Sequence, residues 1–295
     1  MDVRQFEKVK EGRGFIAALD QSGGSTPKAL RGYGVDDGAY SNSDEMFDLI
    51  HEMRTRIITS PSFGGDRLFG AILFENTLDR QIGEMSSVDF LWKVKGVVPF
   101  LKVDQGLEPE AKGVQVMRPI PGLDAFLARG RRQGVFGTKM RSVIKLADPD
   151  GIADIVGQQF QIGERILEAG LVPILEPEVD INSPQKSAAE DLLKEAILER
   201  LASLDHDTGL MFKLTIPTRD DLYVDLVEHP KVVRVAALSG GYTHDEACEG
   251  LARQRGMVAS FSRGLVEGLN VDQSDDEFDR TLDRSVANIF AASST

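Results

Sequence analysis

The sequence contains eight short apolar runs rich in β-branched residues, and stretches with helical periodicity separate most of them. The runs are GFIAALD (14–20), FGAILFE (69–75), VVPFLKVD (97–104), GVFGTKMR (134–141), LVPILEPEV (171–179), LMFKLTIP (210–217), VVRVAALSG (232–240) and MVASFSRG (257–264). Strands that alternate with helices indicate βαβ units and a parallel sheet. Eight such units in 295 residues predict an α/β fold, a single (β/α)8 TIM barrel.

The alternative fold is an open doubly wound sheet, which carries a glycine-rich turn after its first strand. The SGGS segment (22–25) follows the first run but lacks the GxGxxG spacing. The Gly-, Ser-, Asp- and Asn-rich segment 21–45 is predicted to be a long loop, and the chain from about residue 272 to be a helix with a short polar tail. We therefore expect residues 1–295 to form one barrel domain with a C-terminal helical tail.

Composition narrows the classes of partner and compartment. The net charge of −13 argues against nucleic acid or an anionic membrane as a partner. Cys248 is the only cysteine, which favours a reducing compartment. The charged N-terminal stretch has no apolar signal-peptide core, and no apolar run approaches the length of a membrane span. We therefore expect a cytoplasmic protein.

Lys213 lies in the middle of an apolar run that otherwise reads as a buried strand. Lysine is rarely buried unless it is paired or functional. Desolvation favours the neutral amine, which is a nucleophile suited to forming a Schiff base with a carbonyl substrate. The alternative is a lysine at a strand end that extends to water.

Polar side chains recur near the C-terminal ends of the predicted strands. They are Asp20, Glu75, Lys102 with Asp104, Lys139 with Arg141, Glu176 with Glu178, Lys213, Ser239 and Arg263. Residues two apart on a strand point to the same face, so three consecutive strands would each direct two polar groups into the barrel mouth, where active sites of this fold lie. A purely structural layer of ion pairs is the alternative, although buried charges are costly and favour a functional interpretation.

Two loops have features of phosphate sites. SGGYTHDE (239–246) follows the seventh predicted strand and begins a helix, with Thr243 and Glu246 at capping-box spacing. Glycines allow close backbone approach, and free N–H groups at a helix start attract anions. Arg263, one strand away, would add a bidentate partner. QSGGST (21–26) offers hydroxyls and N–H groups for a second phosphate, although alone it is typical of an ordinary loop.

No pattern indicates a metal or another cofactor. The histidines lack metal-ligand spacing and are expected to be exposed to solvent; they are His51, His206, His229 and His244. Cys248 lies in a helical segment, where it is expected to be a small packing residue.

Eight motifs together resemble the class I fructose-bisphosphate aldolases, in particular the shorter bacterial members. They are AALDQSGGS, LFENTL, LKVDQG, GTKMRSVIK, PILEPEVDI, FKLTIP, ALSGGYT and SFSRGL, and they occur in the family's order between about residues 14 and 265. The resemblance implies that Lys213 forms a Schiff base and that Glu176, with Glu178 beside it, is the general acid/base. It also implies that Asp20 helps to cleave the carbon–carbon bond and that Lys139 is the strand-four lysine of the site.

The resemblance also implies the substrate contacts. Lys102 and Arg141 match a strand-three lysine and a strand-four arginine of the family. One phosphate is expected at Ser239, Gly240, Gly241 and Arg263, and the other toward Ser22 and Ser25. Arg263 matches the arginine of the animal FSYGRAL motif only if two residues are deleted here.

The implied activity is reversible, metal-independent cleavage of fructose 1,6-bisphosphate to dihydroxyacetone phosphate and glyceraldehyde 3-phosphate, in glycolysis and gluconeogenesis. The implied partners are small sugar phosphates, and a homo-oligomer is compatible with the sequence. One alternative is a Schiff-base aldolase for a related ketose bisphosphate, such as that of tagatose or sedoheptulose. The other is a phospho-sugar-binding barrel without catalysis.

Overall fold

The barrel consists of eight parallel strands in a computed structural model that describes residues 2–204 and 209–295. The strands are β1 (Phe15–Leu19), β2 (Leu68–Leu73), β3 (Val98–Lys102), β4 (Gly137–Ile144), β5 (Val172–Val179), β6 (Leu210–Thr215), β7 (Val232–Leu238) and β8 (Val258–Ala259). Each strand pairs in parallel with the next one along the chain. The predicted TIM barrel is therefore confirmed.

The closure between β8 and β1 is the weakest junction of the barrel. Among the described residues no strand ladder joins these two strands. Instead, the N–H of Ala18 donates to the carbonyl oxygen of Phe261 at 3.3 Å. The barrel is thus nearly closed, and the loops that follow β1 and β8 meet at this junction.

Helices surround the strands. The longer ones are α1 (Val3–Glu11), α2 (Ser25–Gly32), α3 (Ser43–Thr59), α4 (Leu123–Arg132), α5 (Pro149–Glu168), α6 (Lys186–Ala202), α7 (His244–Ala252) and α8 (Asp275–Ala292). Shorter helical turns span Asp37–Ala39, Glu75–Leu78, Ser87–Asp89, Phe90–Val94, Val224–Val227 and Arg263–Val266. None of the helices in the described ranges has the length and hydropathy needed to cross a bilayer.

Segment 21–45 is not the long loop that its composition predicts. It forms α2, a short 3-10 turn and the start of α3. Thr26 and Leu30 of α2 are buried, and the Asn42 side chain caps α3 by accepting from the N–H of Glu45. Tertiary packing and capping therefore outweigh the loop-like composition.

The interior of the barrel explains why charges follow apolar residues along the strands. Ile16 and Ala18 lie in the apolar cluster that fills the barrel, together with Val98, Phe100, Ile174 and Met211. Side chains alternate between the two faces of a strand. The next residues of the same parity are Asp20, Lys102, Glu176 and Lys213, so the strands direct these side chains inward above the apolar layer.

One strand continues beyond the end expected from the sequence. β4 extends to Ile144, past the run at 134–141, whereas β5 ends at Val179, where the run at 171–179 ends. Lys139 and Glu176 therefore lie within their strands rather than at the ends. The extension has a local cause, because the short strand Val114–Gln115 pairs antiparallel with the end of β4. The added pairing holds the end of β4 beyond Lys139 and Arg141.

Candidate active site

Lys213 is buried inside the barrel, and only 5% of its surface is exposed. Its neighbours Phe212 and Leu214 pack outward against the helices, which turns the Lys213 side chain into the interior. Its Nζ atom lies 2.8 Å from Oε1 of Glu176. The alternative in which this lysine extends to water is therefore wrong.

Lys139 lies at the centre of a buried cluster of carboxylates. Its Nζ atom is 2.7 Å from Oδ2 of Asp20, 2.9 Å from Oε2 of Glu176 and 3.9 Å from Oδ2 of Asp104. All four side chains are almost fully enclosed. The lysine on β4 thus connects acidic groups that directly follow β1 and β3 or lie on β5.

Two opposing effects set the charge states of this cluster. Burial alone would raise the pKa values of Asp20 and Glu176, but the positive charges of Lys139 and Lys213 outweigh it and hold both below their usual values. Burial likewise opposes the charge of Lys139, but Asp20, Glu176 and Asp104 raise the pKa of this ammonium well above its usual value. Asp20 and Glu176 are therefore ionised at neutral pH.

Glu176 keeps unused acceptor capacity. Its Oε2 atom is buried and accepts no hydrogen bond of normal geometry from the described part of the chain, although Lys139 lies close to it. A carboxylate with a free lone pair next to a lysine amine can move protons during imine formation. This arrangement suits a general acid/base.

Lys102, Arg141 and Glu178 form the outer part of the same site. Nζ of Lys102 lies 2.9 Å from Oδ1 of Asp104, and Arg141 forms an ion pair with Glu178. Burial opposes the charge of Arg141, but Glu178 and Glu176 raise the pKa of its guanidinium. The residue pairs two positions apart on β4 and β5 therefore reach the same cluster, as their spacing predicts.

Glu75 lies apart from the buried charges. It begins the short helix Glu75–Leu78 and pairs with Arg129 of α4, and its side chain is partly exposed. The structure gives it a surface ion pair rather than a place among the buried charges.

The loop after β7, predicted to be a phosphate site, places two glycines beside Ile181 and Arg263. Gly240 and Gly241 have φ angles of +62° and +138°, a backbone conformation that L residues rarely adopt. A Cβ placed on Gly241 would lie 3.3 Å from a terminal nitrogen of Arg263, so that guanidinium is adjacent to the loop. Ser239 is buried at the start of the loop, and Thr243 and Glu246 form the predicted capping box of α7.

Ser22 and Ser25 lie together in the loop after β1. The N–H of Ser22 donates to Oγ of Ser25 at 2.9 Å, and Oγ of Ser25 donates to the Ser22 carbonyl at 2.8 Å. Ser25 is exposed and Ser22 partly so. The hydroxyl of Ser25 is therefore used within its own loop at the start of α2.

The expected exposure of the histidines is wrong in one case. His244 is buried and its Nδ1 atom contacts the carbonyl oxygen of Gly264, whereas His51 and His229 are partly exposed. His206 lies outside the described residues. Across residues 2–204 and 209–295, no group of three His, Cys, Asp or Glu side chains is placed to hold a metal ion.

Cys248 has the character expected of a packing residue. It is half-buried against the apolar core. Burial, helped by the charge of Asp245, raises the pKa of its thiol to about 11. The thiol is therefore protonated at neutral pH and is a poor nucleophile.

Two residues of the site were not assigned a role from the sequence. Asp104 belongs to the strand-end charges of the sequence, and the structure places it beside Lys102 and Lys139. Arg54 is not among them, although it occupies a buried position of α3 in series with Ile50, Ile57 and Ile58. A charged residue on the apolar side of a helix is the signal that could have identified it.

Comparison with known proteins identifies close relatives of the chain. The family model described as "Fructose-bisphosphate aldolase class-I" matches residues 5–216. A protein of Porphyromonas gingivalis named "Fructose-bisphosphate aldolase class 1" is 54% identical over 294 residues, covering 99% of both chains. Proteins of the same name from Synechocystis sp. and Clostridium acetobutylicum are 53% and 52% identical and cover 99% and 100% of this chain, and 97% and 100% of their own length.

A solved structure supports the same fold. It is a fructose-bisphosphate aldolase from Plasmodium falciparum in complex with TRAP and a small-molecule inhibitor. The TM-score is 0.75 with 19% sequence identity, over 98% of this chain and 92% of the other. At this identity the likeness concerns the barrel alone.

Proposed function

The chain belongs to the class I fructose-bisphosphate aldolase family and is a carbon–carbon lyase, and we propose that it cleaves fructose 1,6-bisphosphate reversibly through a Schiff base on Lys213. The products are dihydroxyacetone phosphate and glyceraldehyde 3-phosphate. The observation that carries the proposal is a lysine buried inside the barrel, with its Nζ atom 2.8 Å from a buried glutamate. A nucleophilic amine beside a proton-transfer group is what imine formation requires.

The first stage forms the covalent intermediate. Glu176 accepts a proton from the ammonium of Lys213, and the resulting amine attacks C2 of the ketose. Protonation of the C2 oxygen by Glu176 then allows the carbinolamine to lose water, which leaves a cationic iminium. Lys139 contacts the other oxygen of Glu176. This contact fixes the position of the carboxyl group while it gains and loses a proton.

The second stage breaks the bond between C3 and C4. Asp20 accepts the proton of the C4 hydroxyl, the C4 oxygen becomes the aldehyde of the leaving triose phosphate, and the bonding electrons move into the iminium to give an enamine. The ionised state of Asp20, which Lys139 and Lys213 favour, suits it to act as the base. Protonation of the enamine at C3 and hydrolysis of the imine release dihydroxyacetone phosphate and restore Lys213.

Two anion sites orient the substrate. Ser239, Gly240, Gly241 and Arg263 are proposed to hold one phosphate, and the loop with Ser22 and Ser25 to lie toward the other. Lys102, Arg141 and Glu178 are proposed to lie around the sugar carbons, and their ion pairs balance charge within the site. Fixing both ends of the substrate converts binding energy into orientation at C2, C3 and C4.

The direct test is chemical trapping of the imine. Borohydride added with dihydroxyacetone phosphate is expected to place a reduced three-carbon phosphate adduct on the peptide that contains Lys213, as read by mass spectrometry. The matched control is Lys186→Met, which removes another enclosed lysine outside the site and is expected to leave the adduct in place. An adduct on a different lysine, or none with the wild-type chain, would refute the assignment.

We also propose that the reaction needs no metal, since the iminium withdraws electrons from C3. A cytoplasmic location is proposed as well. It is supported by the presence of a single cysteine, which is typical of reducing compartments.

A further inference from the structure

Arg54 of α3 is completely buried, with 0% of its surface exposed. Among the described residues its guanidinium forms an ion pair with no carboxylate; its hydrogen-bond partners are Thr77 and Gln21, and its Nε atom has none. Burial lowers the pKa of Arg54 to about 10, and the negative charge of Asp20 opposes this effect. An unpaired buried cation is one of the most costly features that a fold can contain.

The guanidinium holds the chain immediately after Asp20. One terminal nitrogen donates to the main-chain oxygen of Gln21 at 2.6 Å and to its side-chain oxygen Oε1 at 3.1 Å. The other donates to Oγ1 of the buried Thr77 at 2.7 Å. Arg54 therefore ties the residue next to Asp20 to the short helix that follows β2.

This tie lies where the strand ladder no longer fixes the backbone. β1 ends at Leu19, so Asp20 and Gln21 receive no support from parallel pairing. On one side the carboxylate of Asp20 meets Lys139 at 2.7 Å. On the other side the Gln21 carbonyl meets Arg54. The direction of the Asp20 side chain depends on both.

Gln21 extends the connection to the other side of the barrel closure. Its Nε2 atom donates to Oγ of Ser262 at 2.7 Å. Ser262 directly precedes Arg263, which lies beside the glycine loop. The series Arg54–Gln21–Ser262 thus links the loop after β1 to the loop after β8, at the junction that the backbone leaves nearly open.

We propose that Arg54 is a positioning residue for the carbon–carbon cleavage step. By holding Gln21 it directs the Asp20 carboxylate toward the substrate and fixes the loops after β1 and β8 relative to each other. This inference rests on the proposed function, because it assigns Asp20 to the C4 hydroxyl. Since the guanidinium reaches Gln21 and not Lys213, it acts on the second stage of the reaction and not on imine formation.

The primary test is Arg54→Met, because methionine is unbranched like arginine and its apolar side chain suits a buried site. Cleavage of fructose 1,6-bisphosphate is expected to fall about 10²-fold in kcat, as for a misplaced catalytic group. Borohydride trapping of dihydroxyacetone phosphate on Lys213 is expected to stay within about twofold of the wild type. The free energy of unfolding is expected to be unchanged or higher, because the buried charge is removed.

The split between these readouts distinguishes positioning from a merely structural role. If cleavage and trapping fall together, or if kcat for cleavage is unchanged, Arg54 is not a positioning residue for cleavage. If the wild-type chain itself gives no adduct on Lys213, the proposed function fails, which is a different outcome from either of these.

A second variant keeps the test decisive if Arg54→Met does not fold. Arg54→Lys retains the charge, but a single ammonium cannot reproduce the two-nitrogen grip on Thr77 and Gln21. It is expected to recover only part of the cleavage rate, with trapping intact. Full recovery by lysine would show that charge alone matters and would overturn the positioning role.

Two further variants supply controls. Arg56→Met removes a neighbouring arginine of α3 that binds Tyr33 and the chain near Gln273, outside the site. It is expected to lower stability without changing the ratio of cleavage to trapping. Ser262→Ala cuts the far end of the series, and its effect on cleavage is expected to be non-additive with Arg54→Met. Strict additivity would contradict a connection through Gln21.

Discussion

The Nζ atom of Lys213 and the Oε1 atom of Glu176 lie 2.8 Å apart inside the barrel, where neither side chain reaches solvent freely. The two residues come from adjacent strands, β6 and β5, and the pairing of Ile174 with Met211 two positions earlier sets them side by side. A proton can therefore pass between the two groups without diffusion of water into the site.

Glu176→Gln is expected to lower kcat by about 10²–10⁴-fold, the usual contribution of a positioned acid or base, with a smaller change in KM. The amide keeps the shape of the side chain but cannot accept a proton from Lys213. The measurement is steady-state cleavage with a coupled assay. The matched control is Glu190→Gln, since Glu190 is also fully buried and paired with a lysine, Lys186, but lies outside the site. Equal losses in the two variants would mean that a buried charge, and not proton transfer, was removed.

Arg263→Ala is expected to raise KM strongly. It is also expected to lower kcat/KM by a factor that corresponds to about 2–4 kcal/mol of lost transition-state stabilisation, which is typical of losing one partner of a charge-assisted contact. The loss should be larger for the bisphosphate than for an analogue that lacks the phosphate held beside Gly241. Arg253→Ala removes the same charge from the exposed end of α7 and is the control, expected to behave as wild type. Equal slowing of both substrates by Arg263→Ala would exclude Arg263 as a phosphate ligand.

Lys139→Met is expected to lower the free energy of unfolding at neutral pH by about 3–5 kcal/mol, because Asp20, Glu176 and Asp104 lose the cation between them. In the wild type, the pKa values of Asp20 and Glu176 lie below their unfolded values near 4. Their contribution to stability is therefore present above about pH 4 and is lost on acidification.

In Lys139→Met the change of folding stability with pH is expected to have the opposite sign. Without Lys139, burial is expected to raise the pKa values of Asp20 and Glu176 above their unfolded values, so the folded state takes up protons first and becomes relatively more stable as pH falls. The stability difference from wild type should shrink between about pH 7.5 and pH 5. Urea unfolding at several pH values measures it, and a difference that stays constant would contradict this electrostatic account.

Cleavage activity is expected to survive exhaustive chelation. In the proposed reaction the cationic iminium on Lys213 withdraws electrons from the breaking bond, so no step requires a metal ion. The measurement is the rate before and after dialysis against a strong chelator, with and without added zinc. A large loss that zinc restores would contradict the Schiff-base route.

The inward-facing charges could be predicted from the sequence because side-chain direction along a strand is a local property. Lys213 within an apolar run and Glu176 two positions before Glu178 carry their orientation in the alternation of neighbouring residues. The position of Arg263 beside Gly241 also agrees with the expected phosphate loop, and its role as a ligand stays a prediction.

The contacts of Arg54 could not be predicted because they join distant parts of the chain. Gln21 lies 33 residues before Arg54 and 241 before Ser262, and nothing in the local pattern of any of the three indicates the others. Helix α2 could not be predicted for a related reason, since its stability depends on the burial of Thr26 and Leu30 rather than on local propensity.

The assignment of residues 1–295 to one domain stays a prediction. It is supported by α8, whose Phe278, Val286 and Ile289 pack in the same apolar cluster as the outer faces of the barrel strands. A single cooperative unfolding transition followed by two spectroscopic probes would agree with it.

Because β8 has only two residues, the junction between β8 and β1 is the place where the barrel opens most easily. In a fully closed barrel the strand pairing continues around the ring. Here no ladder joins β8 to β1 in the described ranges, and the hydrogen bond from Ala18 to Phe261 bridges the two strands. The loops that carry Ser22 and Arg263 stand on opposite sides of this junction. A bisphosphate bound by both loops would hold β1 and β8 together. Binding is therefore expected to slow the exchange of the Ala18 amide proton with solvent.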